Sequence, residues 1–190
     1  MTRLEAVWAW RQPAPYEFER LDVPEPSAPG PGEVLLRFRL GGICGSDLPS
    51  FAGVCNAMHP QFGMVGAPLH ELVADVVGST VDRLRPGDRV VGTVIPAGLR
   101  EVLAAPADQL HALSPTLSDR EAIVVQPLAT VLCALSRMRP AAGLRAAVIG
   151  LGPIGMLFCA ALKAQGAHVT GVDRVDRSAH AELFGIDELV

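Results

Sequence analysis

Two short segments carry side chains of the kinds that bind metal ions. Cys44 lies in Gly41–Gly53, GGICGSDLPSFAG, and the pair His70–Glu71 follows 26 positions after it in Ala67–Gly78, APLHELVADVVG. Thiolate, imidazole and carboxylate are ligand types that zinc takes, and three protein ligands with one open position make a catalytic arrangement. Spacing alone favours a plainer reading, a buried thiol beside an unrelated histidine. On this ground the two readings stay open.

A second stretch, Arg145–Asp173, has the makings of a nucleotide site. Gly150, Gly152 and Gly155 stand at Gly-x-Gly-x-x-Gly spacing between the apolar run Ala146–Ile149 and the segment Ile154–Gln165. The first glycine allows a tight turn, the second lets a pyrophosphate approach the backbone, and the third lets helix and strand pack closely. With Pro153 and Ile154 the turn opens a helix whose free amides can face phosphate. A further strand, His168–Val172, ends in Asp173, 23 positions after Gly150. An acid there meets ribose hydroxyls and repels a 2′-phosphate, favouring NAD over NADP; Arg174 beside it pulls the other way. The alternative is a tight strand-to-helix turn that binds nothing.

These residues need elements to hold them. Residues 3–10 and 16–22 suit a pair of strands, Val34–Leu40 alternates as a half-buried strand, and further short strands are expected at Leu69–Val77, Arg89–Val94 and Glu101–Ala104. Short strands punctuated by Pro and Gly point to a small β-barrel or sandwich. Leu84–Val90 reads as a turn feeding a strand. From Ser118 the pattern changes: Ser118 with Glu121 has the form of a capping box, and an apolar helix is expected to about Arg139. The last part supplies a strand, a helix, a strand, a helix at Arg177–Phe184 and the start of a third strand at Glu188–Val190. A complete dinucleotide fold has two βαβαβ halves, so the chain reads as interrupted within one.

Composition excludes several classes. The 190 residues are 49% hydrophobic and 19% charged, with net charge -4, which gives no basic footprint for nucleic acid. Met1 is followed by mixed, charged sequence without the apolar core of a signal peptide. The uncharged run Ala146–Leu162 is short of the ~20 residues a membrane span needs and contains the three glycines and Pro153, so no span is expected. Cys44, Cys55, Cys133 and Cys159 form no C-x-x-C pair, which fits a reducing cytoplasm. Cys133 and Cys159 fall on apolar helices as core thiols, and Cys55 and His59 are faint candidates for substrate contact.

The two metal-type segments, with LRPGDRVVG at Leu84–Gly92, VVQPLATVLCAL at Val124–Leu135 and VIGLGPIGML at Val148–Leu157, resemble the zinc-dependent alcohol, sorbitol and threonine dehydrogenases of the medium-chain dehydrogenase/reductase family. The likeness runs from Glu5 to Val190. It implies a β-rich GroES-like barrel over residues 1–120, then a linking helix and an incomplete α/β Rossmann domain, the doubly wound parallel sheet, over 121–190. It implies one catalytic zinc on Cys44, His70 and Glu71, a proton-relay hydroxyl at Ser46 and an acid at Asp47 that orients the ligating histidine. NAD would lie on Gly150, Gly152, Pro153, Ile154 and Gly155, with Asp173 and Arg174 at the adenine ribose.

The chain departs from that family at four points. Leu69 stands where a glycine usually precedes the zinc histidine, and Pro49 where a histidine usually follows. Gln126 replaces a glutamate at the metal, removing a negative charge from the site. Only Ile95–Arg100 joins Val94 to Glu101, so the lobe for a structural zinc is absent. The second half of the nucleotide domain is missing. The resemblance implies a hydride-transferring oxidoreductase for a small secondary alcohol or polyol and its ketone, working as a cytoplasmic homo-oligomer. The alternative is a truncated, inactive homologue that serves as a binding or partner-dependent domain.

Overall fold

The computed structural model describes residues 6–54, 63–95, 97–140 and 143–190. They form two compact units, Met1–Gln126 and Pro127–Val190. In the first, β1 (Ala6–Arg11) and β2 (Glu19–Pro24) make an antiparallel hairpin. A five-stranded antiparallel sheet follows, from β3 (Glu33–Gly42), β4 (Glu71–Ser79), β5 (Arg89–Thr93), β6 (Val102–Pro106) and β7 (Leu110–Ala112), in the order β6-β3-β4-β5-β7. The hairpin joins this sheet where Trp10 N–H donates to Leu99 O and Glu101 N–H to Trp8 O.

Consecutive residues of β3, β4 and β5 are buried, so alternate side chains fill different clusters: Leu35, Val73 and Val91 lie outside the main one. Val34, Leu36, Leu72, Ala74, Val76, Val90, Leu103 and Leu110 meet in one core, with Leu84 and Val94. Each large side chain so buried contributes roughly 1.5–3 kcal/mol. The β3–β4 register shifts at Leu35/Leu36 and at Phe38/Leu40, the mark of an extra residue in one strand of the pair. The turn before β5 forms as expected: Gly87 has φ +96°, and Arg85 N–H donates to Asp88 Oδ2 at 2.7 Å.

Two elements go beyond the expectation. A short helix, α1 (Asp47–Phe51), follows Cys44, and β7 pairs with β5. Five residues containing Pro49 and a three-residue strand are too brief for periodicity to show. The capping box is present, with Ser118 Oγ accepting from Glu121 N–H and Glu121 Oε2 from Ser118 N–H. The expected single helix is instead two, α2 (Asp119–Ala122) and α3 (Val125–Met138). Pro127 explains the break: it is tolerated only in the first turn of a helix, so α3 starts just before it.

The second unit holds a parallel sheet in the order β10-β9-β8, from β8 (Arg145–Ile149), β9 (His168–Val172) and β10 (Glu188–Leu189). Between them lie α4 (Pro153–Ala164) and α5 (Ser178–Ala181), the latter shorter than expected. Met156, Cys159 and Leu162 of α4 pack with Leu151, Val169 and Ile186, and with Val131 and Leu135 of α3. Cys159 is buried, and burial pushes its thiol pKa up. Cys133 is exposed, contrary to the core role expected of it. Among the described residues β8 has no strand on its other edge, and its last residue, Ile149, is 84% exposed.

The stretch Asp119–Met138 has the length and mean hydropathy, 1.3, of a membrane-crossing helix. Of its apolar residues, Ala122, Ile123 and Val125 pack against Val73 and Val91 in the first unit, while Leu132 and Met138 are exposed.

Candidate metal and nucleotide sites

The strand β3 ends at Gly42, and the next turn carries Cys44. This turn is closed by Asp47 from both directions. Asp47 N–H donates to Cys44 O at 3.0 Å, and Cys44 N–H donates to Asp47 Oδ2 at 2.8 Å. The other carboxylate oxygen, Oδ1, lies 2.9 Å from His70 Nδ1. One buried acid therefore fixes both the segment bearing Cys44 and the ring of His70. The Leu69–His70 segment is pinned from its other side, by Val94 N–H to His70 O and Gly98 N–H to Leu69 O, each 2.7 Å. Glu71 opens β4 opposite Gly42. A Cβ at Gly42 would stand 3.1 Å from Glu71 Oε2, so the glycine leaves room for that carboxylate.

The outcome is a convergence of three donors. One ligand atom each from Cys44, His70 and Glu71 lies within 4.8 Å of the others. The hydrogen bond from His70 Nδ1 to the Asp47 carboxylate raises the His70 pKa to about 9, against the opposing effect of burial. Burial pushes the Glu71 carboxyl up, and the His70 charge opposes it. In the neutral ring, Nδ1–H donates to Asp47 and leaves the Nε2 lone pair for a metal. The sulfur, nitrogen and oxygen set suits zinc. Ser46 is exposed at the start of α1 and makes no capping bond there. Gln126 lies in the first turn of α3. Cys55 and His59 lie outside the described residues.

In the second unit the glycine turn has the geometry its spacing called for. Gly150 takes φ +90°. A Cβ at Gly155 would fall 1.9 Å from Gly150 O, whereas one at Gly152 would meet nothing within 4 Å. Gly155 is thus required by the approach of α4 to the turn, and the space over Gly152 is open. Gly152 caps α4 and Pro153 takes its first position, with Ile154 exposed beside it. Asp173 closes this turn. Its Oδ2 accepts from Leu151 N–H at 2.7 Å and its Oδ1 from Val175 N–H at 3.0 Å, and these bonds hold its pKa below the ordinary carboxylate range. Arg174 is exposed, and the arginine that faces Asp173 is Arg177, Nε to Oδ2 3.7 Å. Sequence reading missed Arg177, whose spacing of four from Asp173 was the available signal.

A β-rich unit with this donor set, followed by a strand–glycine turn–helix half of a dinucleotide fold, defines a class: the GroES-like oxidoreductases. Residues 30–115 match the alcohol dehydrogenase GroES-like domain. The chain is 31% identical over 192 residues to (R,R)-butanediol dehydrogenase of Bacillus subtilis, covering 83% of this chain and 54% of that protein. It is 31% identical over 183 residues to sorbitol dehydrogenase of Bombyx mori, covering 78% and 50%. The crystal structure of 2R,3R-butanediol dehydrogenase from Bacillus subtilis superposes with a TM-score of 0.81 at 27% identity, over 97% of this chain and 62% of that one. The chain carries the alcohol dehydrogenase GroES-like domain and is similar along most of its length to zinc-type alcohol, sorbitol and butanediol dehydrogenases. It spans about half the length of the curated relatives it matches.

Proposed function

We propose that this chain supplies the metal site and the first nucleotide-binding half of a zinc-assisted, NAD-dependent oxidoreductase acting on a small secondary alcohol or polyol, or its ketone. The observation that carries the reading is the convergence of Cys44, His70 and Glu71 within 4.8 Å, braced by Asp47. The chemistry a bound zinc supplies is Lewis-acid polarisation of the substrate oxygen, and that of NAD is hydride acceptance. Cys44, His70 and Glu71 would hold the metal, and Asp47 keeps His70 Nε2 turned towards it. Ser46 Oγ, exposed beside Cys44, would take up the substrate proton. The amides that open α4 would face the pyrophosphate, and Asp173 would accept from an adenine ribose hydroxyl, since a carboxylate keeps acceptor capacity after two amide bonds.

The test is zinc content together with NAD-linked alcohol oxidation in the wild type and in Cys44→Ala. An unchanged rate in the variant removes the metal role.

A second reading is a binding or partner-dependent domain without redox turnover. It is favoured by the neutral amide of Gln126 at a family glutamate position and by the exposed β8 edge at Ile149. Calorimetric titration with NAD separates the two, because micromolar binding counts against an idle domain.

A further inference from the structure

The loop between β1 and β2, residues 12–18, grips the far end of α1, the helix that begins with Asp47. Gln12 is 1% exposed, and its Nε2 donates to Phe51 O at 2.5 Å. Tyr16 N–H donates to the same carbonyl at 2.9 Å. The ring of Phe51 stacks on Phe18 at 5.5 Å and meets Tyr16 edge-on at 5.4 Å. A Cβ at Gly53, just past the helix, would lie 2.5 Å from Pro15 Cγ. The loop and the helix end leave each other no room to shift.

The amide of Gln12 is a poor device for stability. Its Oε1 is buried with no hydrogen-bond partner among the described residues, as is Ser50 Oγ on α1. A buried polar group left unpaired destabilises a fold by about 1–3 kcal/mol. An apolar side chain of the same length would pack there without that penalty. What the amide adds is direction: it is a second donor aimed at Phe51 O beside the Tyr16 amide, and the two together set where a five-residue helix ends. With so few residues, fixing the end of α1 fixes its start, and its start is Asp47.

We propose that Gln12 is a positioning residue for the metal site, acting through Phe51 O, α1 and Asp47 on Cys44 and His70. The inference rests on the reading of Cys44, His70 and Glu71 as that site. The test uses the whole chain with Gln12→Met, which keeps the length and removes the amide, and Ser50→Ala as the control. The first readout is metal-free: exchange of the Cys44 amide hydrogen, which reports its bond to Asp47 Oδ2, should speed about tenfold in Gln12→Met. Exchange of the Val73 amide in β4, the melting temperature, and the Cys44 amide in Ser50→Ala should hold or improve. The second readout is Zn²⁺ affinity by chelator competition, which should fall about tenfold, the lower end of the loss typical when groups supporting a metal ligand are removed. Cys44 exchange within twofold of wild type overturns the proposal, and so does an equal rise in Ser50→Ala. A wild type that takes no Zn²⁺ overturns the metal reading instead, while the exchange data still decide the role of Gln12.

Discussion

Asp47 and His70 form the joint on which the metal site turns, Oδ1 to Nδ1 at 2.9 Å, with the second oxygen of the same carboxylate already taken by the Cys44 amide. Because the acid is buried, it cannot trade either partner for water at little cost. In Asp47→Asn one oxygen can still accept, but the charge is gone and an NH₂ group faces the other partner. Zn²⁺ affinity is expected to drop about 10–100-fold, the range typical for such supporting groups. Chelator competition measures it, and an affinity equal to wild type would show that Asp47 does not organise the site.

The glycine turn gives a paired prediction. Gly155→Ala forces a methyl against Gly150 O, where 1.9 Å is available, so the second unit should lose about 1–3 kcal/mol, the usual penalty of overpacking. Gly152→Ala meets nothing within 4 Å and takes no left-handed φ, so stability should hold. Its methyl instead occupies space a pyrophosphate needs, and NAD binding should weaken. Denaturant melts and calorimetric NAD titration of both variants check this. Weakened stability in Gly152→Ala, or its full retention in Gly155→Ala, would contradict the assignment of the two glycines.

Why one turn was legible and another was not follows from range. The Gly150–Gly155 turn and the capping box at Ser118 are local patterns whose meaning lies within a few residues. Alternation from Val34 to Leu40 marked β3 as a strand but not its buried faces, since Leu35 is buried beside Val34 and Leu36, and Leu40 packs with another cluster beyond the register shift at Phe38/Leu40. The metal site is not local. Nothing near Cys44 in the sequence says that His70 will arrive beside it, since β3 and β4 must first pair from Val34–Ser79 to Gly42–Glu71. Only likeness to a family suggested that convergence. The bond of Asp47 to the Cys44 amide, the helix α1 and the grip of Gln12 on it were beyond reach, because each depends on where a short loop lands in three dimensions.

Acid should loosen the second unit in a particular place. Asp187 sits below the ordinary carboxylate range because Lys163 Nζ and the Val169 amide both bond to it, and His168 lies nearby. Its folded pKa is depressed, so its contribution is complete above the unfolded value, about pH 4, and is lost as pH falls through the lower folded value. Exchange protection of the Val169 amide, corrected for intrinsic rate, should therefore decline below about pH 4 in the wild type. In Asp187→Asn that step should disappear. A step that survives the substitution would assign it to another carboxylate.

Leu69 supplies the last prediction, because its side chain is buried against two glycines. Its side chain lies in the space over two glycines: a Cβ at Gly41 would be 2.4 Å from Leu69 Cδ1, and one at Gly98 would be 3.2 Å from Cδ2. It also walls an apolar cavity of about 280 Å³ together with Phe18, Leu48, Phe51 and Leu99. The leucine and the glycines are thus one packing unit, and neither can be changed alone without loss. Leu69→Ala should lose about 2–5 kcal/mol, as truncations that leave a cavity do, and Gly41→Ala should also destabilise, through overpacking. Together they should lose less than the sum, since the alanine at 69 vacates the space that the new methyl at 41 needs. A double-mutant cycle on urea midpoints reads this as a coupling of roughly 1 kcal/mol or more, within the range for residues in contact. Strict additivity would mean that Gly41 is small for some reason other than Leu69.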